Sequence, residues 1–370
     1  MSNLAPNDFG VFAIIISYFA FIEIFLSPNI GNILINLKKN NEKILVNFLF
    51  CSFINAIFIF IFTSLIVLIL KFNNFQYSVY LYIICIARIF NLYPTLISSY
   101  FQKQLSFIKS IFITNFSLSL SVVLAYFISF KINDFKVLIL REVIFSFFAF
   151  LIAIFLKKIS LKKNLLNFKS IKIFMIYGYK YSFSQFPQNF FQPLINLIVA
   201  KLYGINNLGY LTQSLYIFNA FYKLLAVFTD QILYVIFSKF KKNKIVFIFI
   251  NMSFLIAILL SLIIWFLYNF LFNEILIEKL SHNKWESIIP YIDYLIFLIV
   301  PMVLYSTMKS LLSSSREYKF IFINLILVCL ICPILIYINY LYLDYNLLIS
   351  YIIVYSLVSL SFYVYSIKKF

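Results

Sequence analysis

Apolar stretches of about twenty residues or more recur along this 370-residue chain, separated by short interruptions rich in Lys and Asn. About twenty apolar residues are what a helix needs to cross the ~30 Å hydrocarbon layer of a bilayer. Inside that layer each backbone N–H and C=O must find a partner within protein, so only helices and closed barrels span it. A barrel would show alternating segments of about ten residues, and none is visible. The chain is 64% hydrophobic and 11% charged, whereas soluble domains carry about a quarter of their residues as charges. The reading is therefore an all-α polytopic membrane protein. Eleven spans are expected, at 10–37, 44–70, 77–101, 108–130, 137–156, 173–203, 208–238, 245–272, 288–312, 320–340 and 346–367.

The formal charge of +18 does not indicate nucleic-acid binding, because the basic residues lie in short loops between apolar spans. Nineteen Lys and Arg fall in one alternating set of loops and five in the other. Positive loops stay in the cytoplasm, so the C-terminus is expected inside and Met1 outside. The 48 Phe and 28 Tyr carry little functional information, since they accompany Lys, Asn and Ile, all encoded by AT-rich codons.

Chemistry-bearing residues are sparse. Cys51, Cys85, Cys329 and Cys332 all fall within apolar spans, and no second Cys pair or nearby His completes a zinc set around Cys329 and Cys332. They read as small buried hydrophobes. His282 is the single histidine, and five glycines cannot supply a phosphate-cradling loop. No enzyme activity and no cofactor are expected.

The chain resembles itself at an offset of 199 residues. Asn7-Asp8-Phe9-Gly10-Val11-Phe12 is similar to Asn206-Asn207-Leu208-Gly209-Tyr210-Leu211. Each segment reads as a short external turn with a Gly that opens a long helix. This predicts a five-helix lobe over 1–156, a basic cytoplasmic linker over 157–172 and a six-helix lobe over 173–370. Two such lobes would be parallel repeats about an axis along the membrane normal. The helix at 173–203 would have no counterpart in the first lobe.

Further segments carry a family resemblance. Tyr177-Gly178-Tyr179-Lys180-Tyr181-Ser182, Leu197-Ile198-Val199-Ala200-Lys201-Leu202-Tyr203-Gly204 and Leu208-Gly209-Tyr210 resemble the middle of polysaccharide (O-antigen, Wzx-type) flippases. These belong to the multidrug/oligosaccharidyl-lipid/polysaccharide exporter superfamily. Asn7-Asp8-Phe9-Gly10, Ser238-Lys239-Phe240, and Trp285 with Pro290 are similar to other points of the family pattern. The resemblance implies twelve helices in two six-helix lobes around a central cavity, here without the first helix. It also implies translocation of undecaprenyl-diphosphate-linked sugars by alternating access in a bacterial cytoplasmic (inner) membrane. Many relatives carry an Arg and an Asp in the seventh helix, where this chain has Gln192 and Ile195.

Polar residues inside spans must face protein or a wet cavity, since a charge at the bilayer centre costs about 2.5–3.5 kcal/mol or more. Gln185, Gln188, Asn189, Gln192 and Asn196 fall on one face of the helix at 173–203, together with Pro187 and Pro193, which are expected to kink it. The amides could line a substrate cavity or bond neighbouring helices. Gln213, Tyr216, Lys223 and Asp230 share a face of the next helix. Lys223, near mid-membrane, is the favoured phosphate contact. Lys180 is either a second one or a residue snorkelling to the inner headgroups, and Arg141 and Lys201 read as snorkelling.

Glu23 and Arg88 each sit near the middle of a span. Glu23 is expected to approach Lys223 across the cavity in one transport state, or to form a static pair with Arg88. Glu23 or Asp230 would couple transport to H⁺ or Na⁺. The partners expected are a lipid-linked oligosaccharide, membrane lipids and the polysaccharide polymerase machinery, with no nucleic acid. Three other readings stay open. A drug/cation antiporter would share the fold, although Lys180, Lys223, Arg88 and Lys309 tilt the cavity positive, which favours an anionic substrate. A membrane-embedded glycosyltransferase or polymerase would usually carry a large external loop, and the longest here is about 273–287. The third is an inactive flippase fragment.

Overall fold

The computed structural model describes residues 4–26, 30–36, 42–72, 75–157, 166–226, 285–315, 317–343 and 347–369, with scattered positions between 248 and 266. Every regular element among them is helical. They are α1 (Pro6–Leu26), α2 (Ile30–Asn36), α3 (Glu42–Phe72), α4 (Tyr80–Lys103), α5 (Phe107–Ile111), α6 (Ser117–Ser129), α7 (Lys136–Leu156), α8 (Phe168–Tyr203), α9 (Ile205–Ala226), α10 (Ile289–Ser314), α11 (Tyr318–Ile338) and α12 (Leu347–Lys369). Short π-helical turns at Phe112–Phe116 and Asn339–Leu343 join α5 to α6 and extend α11.

Eight helices among the described residues are long and apolar enough to cross a membrane, and they match eight of the eleven expected spans. The expected span 10–37 is described as α1 and α2, on either side of 27–29. Of the remaining three expected spans, one is α8. Its 36 residues are ample in length, but amides and lysines interrupt its apolar run. The end of the expected 208–238 span lies outside the described residues, as does most of 245–272.

The exposure pattern is that of a protein in lipid. Along α3, Phe53, Ile57, Ile61, Leu65 and Leu68 are exposed, while Asn55 and Thr63 are buried. No water is available in hydrocarbon, so buried hydroxyls turn back on their own helix. Thr63 Oγ1 donates to the Ile59 carbonyl at 2.7 Å, Ser52 Oγ to that of Phe48 at 3.0 Å, and Ser117 Oγ to that of Ile113 at 2.7 Å. The four cysteines are thiols rather than disulfides, and Cys51, Cys85 and Cys332 are buried. Arg141 pairs with its neighbour Glu142 at 2.8 Å.

The chain forms two compact units, one of Ile14–Pro193 and the other of Leu4–Ala13 with Leu194–Phe370. In the first, α4 packs against α3 and α7. Phe48 stacks on Phe174 with centroids 4.3 Å apart, and the Asn167 N–H donates to Asn47 Oδ1 at 2.9 Å. These contacts tie the start of α8 to α3. Helix α8 runs unbroken through the buried Pro187 and Pro193.

In the second unit the 199-residue repeat becomes physical. Gly10 and Gly209 are not in turns, as the sequence suggested, but occupy the fifth positions of α1 and α9. A Cβ on Gly10 would strike the carbonyl oxygen of Ile205, and one on Gly209 would strike that of Pro6. Pro6 and Ile205 are themselves 199 residues apart. Each glycine therefore receives the first residue of the other's helix, the reciprocal contact that a local two-fold axis produces. Glycine is placed there because only it lets two backbones cross so closely.

The two starts are finished by equivalent residues. Asp8 Oδ2 accepts the Ala5 N–H at 2.8 Å, and Asn207 Nδ2 donates to the Tyr203 carbonyl at 2.8 Å. Between α8 and α9, Gly204 takes φ +87, the left-handed conformation that ends helices cleanly. Trp285 covers the crossing. It meets Phe9 edge-on at 5.3 Å and donates from Nε1 to the Leu4 carbonyl at 3.1 Å.

Candidate functional site

Four helices of the first unit turn polar residues toward one cavity of about 460 Å³, within the range of small-molecule sites. Helix α1 presents Glu23, and α4 presents Arg88, Asn91 and Thr95 at helical spacing. Helix α3 presents Ser52 and Asn55 three residues apart, and α8 presents Ser182 and Asn189 two turns apart. Asn55 is almost wholly buried. Thr95 Oγ1 donates to the Asn91 carbonyl at 2.8 Å, which holds the hydroxyl in place.

Among the described residues that line the cavity, the charges are Glu23 and Arg88. Glu23 Oε2 lies 4.0 Å from Arg88 Nε, with side chains 35% and 32% exposed. That is the outer limit of an ion pair. Pairs this open contribute only about 0.2–1 kcal/mol, so the guanidinium can exchange the carboxylate for another anion at small cost. Arg presents N–H donors in a rigid fork that fits carboxylate or phosphate oxygens. The surrounding amides and hydroxyls both donate and accept. The cavity can therefore hold one anionic group and several hydroxyls.

The expected site residues divide as follows. Glu23, Arg88 and Asn189 come together in the cavity. Arg88, one of the two cationic partners expected for Glu23, lies beside it, and the side chain of the other, Lys223, lies outside the described residues. Gln192 is half-buried on α8, and Gln213 is buried on α9 in the second unit. Lys180, Gln185 and Gln188 sit on α8 and Lys223 on α9, with side chains outside the described residues, and Asp230 lies wholly outside them.

Residues 4–290 match the family described as Polysaccharide biosynthesis protein. The chain belongs to this family. The fold is similar to that of a multidrug resistance MATE family transporter of the MOP superfamily, solved in an inward-facing conformation. The TM-score is 0.69 at 16% identity, over 98% of this chain and 90% of that one. No curated protein matches the sequence. Family and fold agree with the polysaccharide flippase resemblance carried by Tyr177–Ser182 and Leu197–Gly204. They also agree with an all-helical, multi-pass membrane protein.

Several cavity residues of this polysaccharide-family chain escaped the sequence reading, namely Ser52, Asn55, Asn91, Thr95 and Ser182. A signal was present on α4, where Arg88, Asn91 and Thr95 fall at i, i+3 and i+7, the same stripe logic that singled out the amides of α8. On α3 the isolated Ser52 and Asn55 carry no such stripe, since one polar residue per turn is ordinary interhelical bonding.

Proposed function

We propose that this protein moves an undecaprenyl-diphosphate-linked oligosaccharide, a unit of O-antigen, capsule or exopolysaccharide, from the inner to the outer leaflet of a bacterial cytoplasmic membrane by alternating access. The observation that carries this reading is the exchangeable Arg88 set among neutral hydrogen-bonding side chains, in a chain of the polysaccharide biosynthesis family. A diphosphate oxygen would displace Glu23 from Arg88, while Asn55, Asn91, Thr95 and Asn189 meet phosphate oxygens or sugar hydroxyls. Glu23, once released, is free to take up H⁺ or Na⁺, which links substrate exchange to an ion gradient. Lys180 and Lys223 are further phosphate contacts in this reading, and the C-terminus is cytoplasmic.

A drug/cation antiporter is the second reading, favoured by the likeness to a multidrug transporter. It is weaker because Arg88 offsets the charge of Glu23, leaving no net attraction for a cation. The test is a proteoliposome assay with a fluorescent undecaprenyl-diphosphate-linked sugar, scored by quenching with a membrane-impermeant reagent. Protein-dependent transfer between leaflets is expected, with no export of ethidium. Ethidium movement without lipid transfer would establish the antiporter instead.

A further inference from the structure

A second cavity of about 490 Å³ adjoins the first. Its walls are almost wholly apolar: Phe50, Phe53 and Ala56 from α3, Ile89 and Leu92 from α4, and Phe150 from α7. Its most polar side chains are already occupied. Tyr93 donates to the Lys157 carbonyl at 2.6 Å, and Ser52 donates to that of Phe48 at 3.0 Å.

The two cavities share walls. Ser52 and Leu92 line both of them. On α4, Arg88 and Asn91 face the polar cavity while Ile89 and Tyr93 face the apolar one. On α3, Asn55 and Ala56 divide in the same way. The interface of α3 and α4 thus separates a charged, hydrogen-bonding chamber from an apolar groove, with contact between them at Ser52 and Leu92. Phe53 on the groove wall is 62% exposed and belongs to the apolar row of α3 that meets lipid. An amphipathic ligand with a charged head and a hydrocarbon chain matches this arrangement; a free sugar phosphate would leave the groove unused.

We propose that the groove between α3, α4 and α7 holds the first part of the polyprenyl chain of a lipid whose diphosphate lies at Arg88. This rests on the proposed function and adds a place for the lipid, so that head and tail are recognised by opposite faces of the same two helices. The chain stays in an apolar setting while the head is in the chamber, and only the head needs a polar route.

The test places a photoreactive benzoyl-phenylalanine at Phe53 or, as control, at Phe127 on α6. Phe127 is 61% exposed against 62% for Phe53, but it lies outside the groove. The purified full chain is irradiated with radiolabelled undecaprenyl diphosphate in the presence of excess phosphatidylglycerol. Labelling at Phe53 several-fold above Phe127 is expected, and equal labelling, or loss of the signal to the phospholipid, overturns the proposal. Ala56→Phe, which fills the groove, is expected to weaken binding of undecaprenyl diphosphate about tenfold and to leave inorganic pyrophosphate binding unchanged. An equal loss for both probes would mean general damage to the fold and would count against the groove. If wild-type protein binds the lipid diphosphate but Phe53 is not labelled, the groove assignment fails and the transport reading stands. If wild-type protein binds no lipid diphosphate, the transport reading fails with it.

Discussion

Arg88 and Glu23 face each other across 4.0 Å with a third of each side chain open, and this loose contact decides what each substitution should do. Removing the guanidinium removes the group that would hold phosphate. A hydrogen bond to a charged group contributes about 1.5–3 kcal/mol. Arg88→Gln should therefore weaken lipid-diphosphate binding about ten- to hundredfold, read by titration of the purified protein. Arg88→Lys should recover part of that loss, because a point charge remains while the fork geometry is gone. Glu23→Gln should act differently. The head group then meets no competitor at Arg88, so binding persists, but the response of flipping to an imposed proton or sodium gradient should disappear in the proteoliposome assay. If Glu23→Gln flips with its gradient dependence intact, the carboxylate is a structural partner and the coupling role is wrong. The Glu23–Arg88 contact also shows what a linear reading could not supply. Arg88 lies 65 residues along the chain from Glu23, and only the fold of one compact unit brings the two within 4.0 Å.

Among the elements, the crossing of α1 and α9 is the most exacting. Both glycines meet a backbone oxygen of the other helix, and neither oxygen can rotate away as a side chain would. Gly10→Leu and Gly209→Leu should each destabilise the protein, at the upper end of the about 1–3 kcal/mol typical of overpacking, seen as a lowered Tm in detergent. The two lesions force apart the same pair of helices, so the double variant should cost less than the sum of the singles. Full additivity would mean the two glycines act at independent places. Trp285→Phe keeps the ring contact with Phe9 but loses the bond to the Leu4 carbonyl, and it should cost about 1 kcal/mol. Half of this crossing was visible in the chain, where Asn7–Phe12 and Asn206–Leu211 match at one offset. The helix start was misjudged by a turn, because Gly in a polar segment reads as a turn signal. In the structure, Pro6 begins α1 and Gly10 supplies closeness rather than a bend.

For the whole molecule, the bias of Lys and Arg toward one alternating set of loops predicts a cytoplasmic C-terminus. A green fluorescent protein fused after Phe370 should fluoresce and an alkaline phosphatase fused there should be inactive, since the first folds only inside and the second only outside. The reverse pattern would invert the membrane topology and with it the direction of transport proposed above. At this scale the sequence was a good guide. Eight of the expected spans are long apolar helices, because span length and backbone self-satisfaction are properties of a segment on its own. The family resemblance also held, carried by segments such as Tyr177–Ser182 that lie within the matched residues 4–290.

Period and hydropathy thus determined from the sequence alone that the chain is helical and that it crosses a membrane many times. These are local quantities, legible because each span must satisfy its own backbone wherever it sits. The tertiary structure alone decided that Ser52, Asn55, Asn91 and Thr95 share a chamber with Glu23 and Arg88. It likewise decided that Ile89 and Leu92, one and four residues beyond Arg88, border an apolar groove. An isolated Asn or Ser in an apolar helix looks the same whether it bonds a neighbour or faces a cavity. The difference lies in which helix packs opposite, and long-range packing in this protein is set by shape and by close crossings such as Gly10 with Ile205, which leave almost no mark on hydropathy.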